Sequence, residues 1–158
     1  MENKLKIHIC KGFGEGSTTM SAFDNALINA GIANYNLIYL SSIIPEGSII
    51  TTEKFISNIE DYGNRLYIVI ARFNQTIIDN EAWAGIGWVQ DEEGRGLFVE
   101  HFAESKDSVI GLIEHSMSDM KQNRDFKYKD IKYAVTGTKC YNKPVCAIVA
   151  AVFKSQDW

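Results

Sequence analysis

Proline is nearly absent from this chain, with two among 158 residues, Pro45 and Pro144. No proline-rich linker divides it, and neither a repeat nor a low-complexity tract breaks it up, so one domain over residues 1–158 is expected. Cysteine is scarce as well. Cys10, Cys140 and Cys146 are odd in number and form no CxxC, which argues against a disulfide framework and suits a reducing compartment. His8, His101 and His115 are scattered without metal-ligand spacing, so no metal site is expected. A strong charge of one sign is also missing. The net charge of -4 argues against a protein that grips nucleic acid by neutralising phosphates. No run approaches the roughly 18 apolar residues of a spanning helix, so no membrane span is expected. The opening "MENKLKIHIC" has no long apolar segment, so no secretory signal is expected and the reading is a cytoplasmic protein.

What is present is an ordinary globular composition, 46% apolar and 23% charged, in a chain long enough for a sizeable core. "LKIHIC" alternates as a strand does. The "KGFGEGS" that follows lacks the Lys-Ser or Lys-Thr pair of a P-loop, and its third glycine comes one residue too early for a dinucleotide fingerprint. It reads as a flexible turn whose backbone could approach another group closely. Ser17 or one of the next two threonines can cap a helix with an apolar stripe of Met20, Phe23, Leu27 and Ala30, stopped at Gly31. Asp24 borders that stripe.

"YNLIYLSS" predicts a strand, "TTEKFISNIEDYG" leaves a short helix ending at Gly63 open, and "RLYIVIARF" predicts a buried strand. "AWAGIGWVQ" and "GLFVEHFAE" predict a hairpin around "DEEGRG". A second helix carries Val109, Leu112, Ile113, Met117 and Met120 behind a cap at Ser105 or Asp107. "IKYAVTGTKC" and "VCAIVAAVF" predict another hairpin around "YNKP", the last strand small enough in its side chains for a crowded centre. Two helices among six to eight strands make an α+β fold, with sheets packed together and helices outside.

The adjacent serines Ser41 and Ser42 end the second strand. There is no G-x-S-x-G elbow and no Ser-His-Asp set. If the strand stays regular to its end, Asn36 and Ser42 share a face.

The stretch "SAFDNALINAGIANYNLIYLSSIIPEGS" resembles the processing region of the pyruvoyl-dependent arginine decarboxylases. "GLFVEHFAE" resembles that family's strand with its catalytic glutamate, and "CAIVAAVF" its closing strand of small residues. Thr51 to Asn80 matches poorly. The resemblance implies a four-layer αββα sandwich and a proenzyme that cuts itself between Ser41 and Ser42, into a 1–41 chain and a 42–158 chain. Ser42 would become a covalent pyruvoyl group that forms a Schiff base with arginine and releases carbon dioxide and agmatine. Asn36 would be the processing asparagine, donating to the developing oxyanion. Glu100 would be the general acid that protonates the substrate α-carbon, its proton favoured by apolar neighbours Leu97, Phe98 and Phe102. Asp24 would hold the guanidinium end, because a carboxylate accepts paired hydrogen bonds from that fork. Met20, Ile28 and Ile43 are candidate walls for the methylene stem. The implied assembly is a homotrimer of cleaved protomers, or a multiple of it, with sites between subunits. Two rival readings remain: the same mechanism on another amino acid such as histidine, or an uncleaved relative acting as a binding or assembly protein.

Overall fold

The computed structural model describes residues 4–158. The elements in order are β1 (Lys6–Glu15), α1 (Thr19–Ala30), β2 (Asn36–Tyr39), β3 (Ile43–Ile44), β4 (Ile49–Thr51), β5 (Arg65–Gln75), β6 (Glu81–Gln90), β7 (Gly96–Ala103), α2 (Lys106–Gln122), β8 (Lys132–Lys139) and β9 (Val145–Gln156). One sheet has the order β2-β5-β9-β1-β4 and the other β3-β7-β6-β8. The sheets face each other, α1 covers the outer face of the first, and α2 covers the outer face of the second. This is the αββα sandwich.

Four layers enclose three apolar interlayers. Between the sheets lie Ile7, Ile9, Val69, Ile86, Phe98 and Val149. Between α1 and its sheet lie Ala22, Ala26, Ala30, Leu66, Ile68 and Ile148. Val109, Ile113 and Met117 of α2 meet Val89, Leu97 and Val99 in the third. The central strand β9 serves two of them by alternation, with Val145, Ala147, Val149 and Ala151 on one face and Cys146, Ile148, Ala150 and Val152 on the other. Its small side chains match the crowded centre expected of them.

"KGFGEGS" is not a flexible turn. β1 runs through Gly12 and Gly14 to Glu15, paired with β9 throughout. A Cβ at Gly12 would lie 2.3 Å from the Ala26 carbonyl oxygen, and one at Gly14 2.7 Å from the Ala26 nitrogen. The glycines are a seat for α1, which explains a second departure from expectation. The helix rests on Ala22, Ala26 and Ala30, while Met20 is 77% exposed and Phe23 and Leu27 lie on the flank. Only methyl side chains fit between a helix and a strand this close. Gly12→Ala is therefore expected to lower the unfolding free energy by about 3 kcal/mol in urea denaturation. Gly111→Ala, on the open face of α2 with nothing near its Cβ, should be neutral or stabilising by up to about 1 kcal/mol.

Helix ends follow the sequence signals. Thr18 caps α1 by accepting from the Ser21 N–H, and Gly31 closes it at φ 79°. Ser105 caps α2. The β6–β7 hairpin forms around Asp91–Arg95, with Trp83 to Gln90 opposite Ala103 to Gly96. The second expected hairpin does not form. β8 pairs with β6 in one sheet and β9 with β5 and β1 in the other. The "YNKP" turn carries the chain between layers, because a strand with small residues on both faces is placed between two cores. Between Thr51 and Gly63 the only helical piece is one 3-10 turn, Ile59–Asp61.

Candidate active site

β2 is a strand of four residues, paired in parallel with Arg65 to Ile68 of β5. The Leu40 N–H still donates to the Ile68 carbonyl at 2.8 Å. The chain then leaves the first sheet and joins the second, where Ile43 and Ile44 pair with Leu97 and Gly96. Ser41 and Ser42 form the crossover. Ser41 is exposed and Ser42 half-buried. The Ser42 carbonyl accepts from the Phe98 N–H at 2.9 Å, so its backbone is fixed against β7. Beyond it, the Pro45 carbonyl holds the Ser48 hydroxyl at 2.6 Å and the Gly47 N–H donates to Glu93 at 2.8 Å. The segment is tied down on both sides.

Ser42 has φ 62°. A left-handed conformation at a residue with a Cβ costs about 1 kcal/mol or more, and such residues persist where surrounding contacts impose them. The Ser42 hydroxyl donates to Glu100 Oε1 at 2.6 Å, across 58 residues of sequence. Glu100 lies two residues beyond Phe98 on β7 and so projects toward the other sheet. Phe98 is fully buried and packs edge-on to Phe153, with centroids 6.0 Å apart. Phe102 is 55% exposed and stacks on Phe73, at 5.3 Å and 18°.

The crossover thus brings Ser41, Ser42 and Glu100 together, walled by Phe98 and Phe102. Leu97, expected beside Glu100, faces the α2 interlayer instead, as alternation along β7 requires. Asn36 does not share a face with Ser42. The strand stops at Tyr39, and the left-handed backbone of Ser42 breaks the alternation on which that expectation rested. Within one protomer Asn36 sits at the far end of β2, its Nδ2 donating to the Gly63 carbonyl at 2.7 Å. The Trp158 indole N–H donates to the same carbonyl at 2.9 Å. Asp24 lies on the exposed outer side of α1, aligned with Met20 and Ile28 at helical spacing and away from the gap between the sheets. Phe73 and Phe153 escaped sequence reasoning because nothing in a strand pattern tells which residue of another sheet will stand opposite.

Other reactive groups are quiet. Burial pushes the Cys10 and Cys146 thiols up to about 11, and all three cysteines are buried and unpaired. Among the described residues, no group of three or more His, Cys, Asp or Glu side chains could hold a metal. His101, next to Glu100 but on the opposite face of β7, has Nε2 2.7 Å from the Ser116 hydroxyl of α2. Burial lowers its pKa, with Glu100 acting in the opposite sense. A folded-state pKa below the unfolded value means stability that is complete above about 6.5 and lost as the pH falls through it, since the unfolded chain then binds the proton more readily. The melting temperature should fall between pH 7 and pH 5, and less steeply in His101→Gln.

Comparison with known proteins agrees with the geometry. The family model for pyruvoyl-dependent arginine decarboxylase matches residues 6–157. A pyruvoyl-dependent arginine decarboxylase from Halobacterium salinarum is 38% identical over 154 residues, covering 96% of each chain. One from Thermococcus sibiricus is 34% identical over 141 residues and one from Pyrococcus abyssi 32% over 141 residues, each alignment covering 87% of both chains.

The chain belongs to the pyruvoyl-dependent arginine decarboxylase family.

The family name specifies a covalently bound pyruvoyl group, and the crossover fits one. A pyruvoyl group made from a serine keeps the α- and β-carbons but loses the nitrogen, so no φ torsion remains to be strained. The left-handed strain at Ser42 would vanish on conversion, whereas an extended serine would have none to release. Among the described residues no helix is long and apolar enough to cross a membrane.

Proposed function

We propose that this member of the family is a self-processing enzyme that converts arginine to agmatine and carbon dioxide, with Ser42 as precursor of its pyruvoyl group. The observation that carries this reading is the Ser42 hydroxyl, held 2.6 Å from Glu100 on a strained, half-buried crossover residue. In cleavage, the hydroxyl oxygen attacks the Ser41 carbonyl and the peptide nitrogen leaves, giving an ester. Elimination then releases the Ser41 carboxylate, and water replaces the nitrogen of the resulting dehydroalanine, with loss of ammonia. The products are a 1–41 chain and a 42–158 chain that begins with the pyruvoyl group.

That group supplies an electrophile for the substrate amine and a sink for the electrons of the bond to the departing carboxylate. Glu100 delivers a proton to the substrate α-carbon. Asp24 accepts paired hydrogen bonds from the guanidinium, and Asn36 donates an N–H to the oxyanion that develops at Ser41. Both stand away from Ser42 within one protomer, so the reading includes a homotrimer of cleaved protomers in which a neighbouring copy supplies them. The reading also places the enzyme in the cytoplasm.

Mass spectrometry of the purified protein, with incubation in arginine, histidine, ornithine and lysine, tests the whole. Two chains and agmatine from arginine alone are expected. One intact chain, or amine only from another substrate, rejects it. Asp24→Asn should raise KM for arginine at least tenfold while cleavage stays complete.

A further inference from the structure

We propose that Trp158 is a positioning residue for self-cleavage. Its indole N–H keeps the Gly63 carbonyl bonded when Asn36 lets go of that carbonyl to serve the scissile bond of a neighbouring copy. The inference rests on the reading of Asn36 as the processing asparagine and deepens it by naming what frees that side chain.

Asn36 opens β2 opposite Arg65, the first residue of β5. The segments that lead into the two strands are knit together. The Gly63 N–H donates to the Asn34 carbonyl at 2.7 Å, and the Asn36 N–H to the Asn64 carbonyl at 2.8 Å. These bonds hold the Gly63 backbone in place, so the side chains around its carbonyl are what can move. Two donors share that oxygen, one for each lone pair: Asn36 Nδ2 at 2.7 Å and Trp158 Nε1 at 2.9 Å. Trp158 lies beyond β9, and Arg65 brings it to this spot. The Arg65 guanidinium sits over the indole, 4.7 Å from the ring centroid, and its Nη2 donates to the Asp157 carbonyl. Burial does not account for the placement, because Trp158 is 81% exposed. Its N–H bond and the guanidinium over its ring hold it there. Arg65 Nε is buried and finds no partner among the described residues, so the cluster is incomplete within one protomer.

Asn36 has one carboxamide for two tasks. While one of its N–H groups is spent on Gly63, the direction of the other is set by that bond. Aiming the group at the Ser41 oxyanion of another copy means turning the side chain, which is exposed and free to turn, and giving up Gly63. Contact between copies excludes water from the half-buried carbonyl left behind. An acceptor stripped of every partner costs more than the hydrogen bond it lost. With Trp158 still donating, the carbonyl is never stripped, and the turn of Asn36 costs only an exchange of one acceptor for another. Trp158 touches no reacting atom, and its part ends once the chain is cut.

The test is the first-order rate at which full-length precursor, made by cell-free synthesis, is cut, followed by mass spectrometry. Trp158→Phe keeps a ring for Arg65 and deletes the N–H, and it should slow cleavage about tenfold. Arg65→Met withdraws the cation from the ring and should slow cleavage too. The double variant should be no slower than the slower single one, because both changes remove the same donor. Once cut to completion, Trp158→Phe should decarboxylate arginine with kcat and KM within about twofold of the parent, a split that a general loss of stability would not give. Cleavage of Trp158→Phe at the parental rate overturns the proposal. So does an additive double variant, or a kcat that falls along with the cleavage rate. Parental cleavage in Asn36→Ala overturns the reading of Asn36 as the processing asparagine instead.

Discussion

Ser42→Ala is expected to leave one uncut chain with no detectable turnover. The alanine keeps the crossover, the Phe98 N–H bond to its carbonyl and the apolar walls, and loses the one oxygen that can attack Ser41. Mass spectrometry after prolonged incubation reads the result directly, and appearance of a 1–41 fragment would move the nucleophile elsewhere. Backbone strain gives the same position a second signature. Alanine at φ 62° remains strained, whereas glycine is not. Ser42→Gly should also stay uncut, yet resist urea better than Ser42→Ala by about 1 kcal/mol. Equal stability would mean that the left-handed geometry costs the proenzyme nothing.

Glu100→Gln is expected to be cut and yet to decarboxylate on the order of a hundredfold to ten-thousandfold more slowly. The amide oxygen of glutamine can accept the Ser42 hydroxyl in the place of Oε1, so the geometry at the scissile bond survives. A neutral amide cannot give up a proton to the substrate carbon. The two readouts separate positioning from proton transfer. A fully cut variant with unchanged kcat would remove Glu100 from the chemistry, whatever its contact with Ser42.

Much of this was legible in the chain, and the reasons for the rest are specific. The β6–β7 hairpin and the α2 face of Val109, Ile113 and Met117 could be read from periodicity, because each spans a surface with one buried side, although Leu112, expected on that face, is 42% exposed and Met120 only partly buried. The face of α1 could not. A stripe of large residues normally marks the core, but here glycines in β1 bring the helix so near that alanines are buried and Met20 is left in solvent. Which strands pair depends on layers rather than on neighbours in sequence, so β8 and β9 part company across a five-residue connection, 140–144. At the site, the meeting of Ser42 and Glu100 rests on pairing between β3 and β7, which no spacing rule would give. The displacement of Asn36 has the opposite origin, since counting residues along a strand fails once the strand ends and a positive φ intervenes.

The place of the crossover decides what kind of object the cut chain becomes. Every strand and helix before Ser41 belongs to one sheet and its covering helix, while the chain after Ser42 supplies the whole of the other sheet and also β4, β5 and β9 of the first. The 1–41 piece contributes β1, α1 and β2 as a unit. Its strand β1 is clasped between β9 and β4 of the larger piece, with eight register positions on β9 alone. Scission at that point severs no ladder and opens no core. The processed molecule is then a pair of complementary fragments, and its stability should acquire a dependence on protein concentration that the uncut precursor lacks. Separately expressed 1–41 and 42–158 segments, refolded together, would be a direct way to see whether the smaller one can find its slot again.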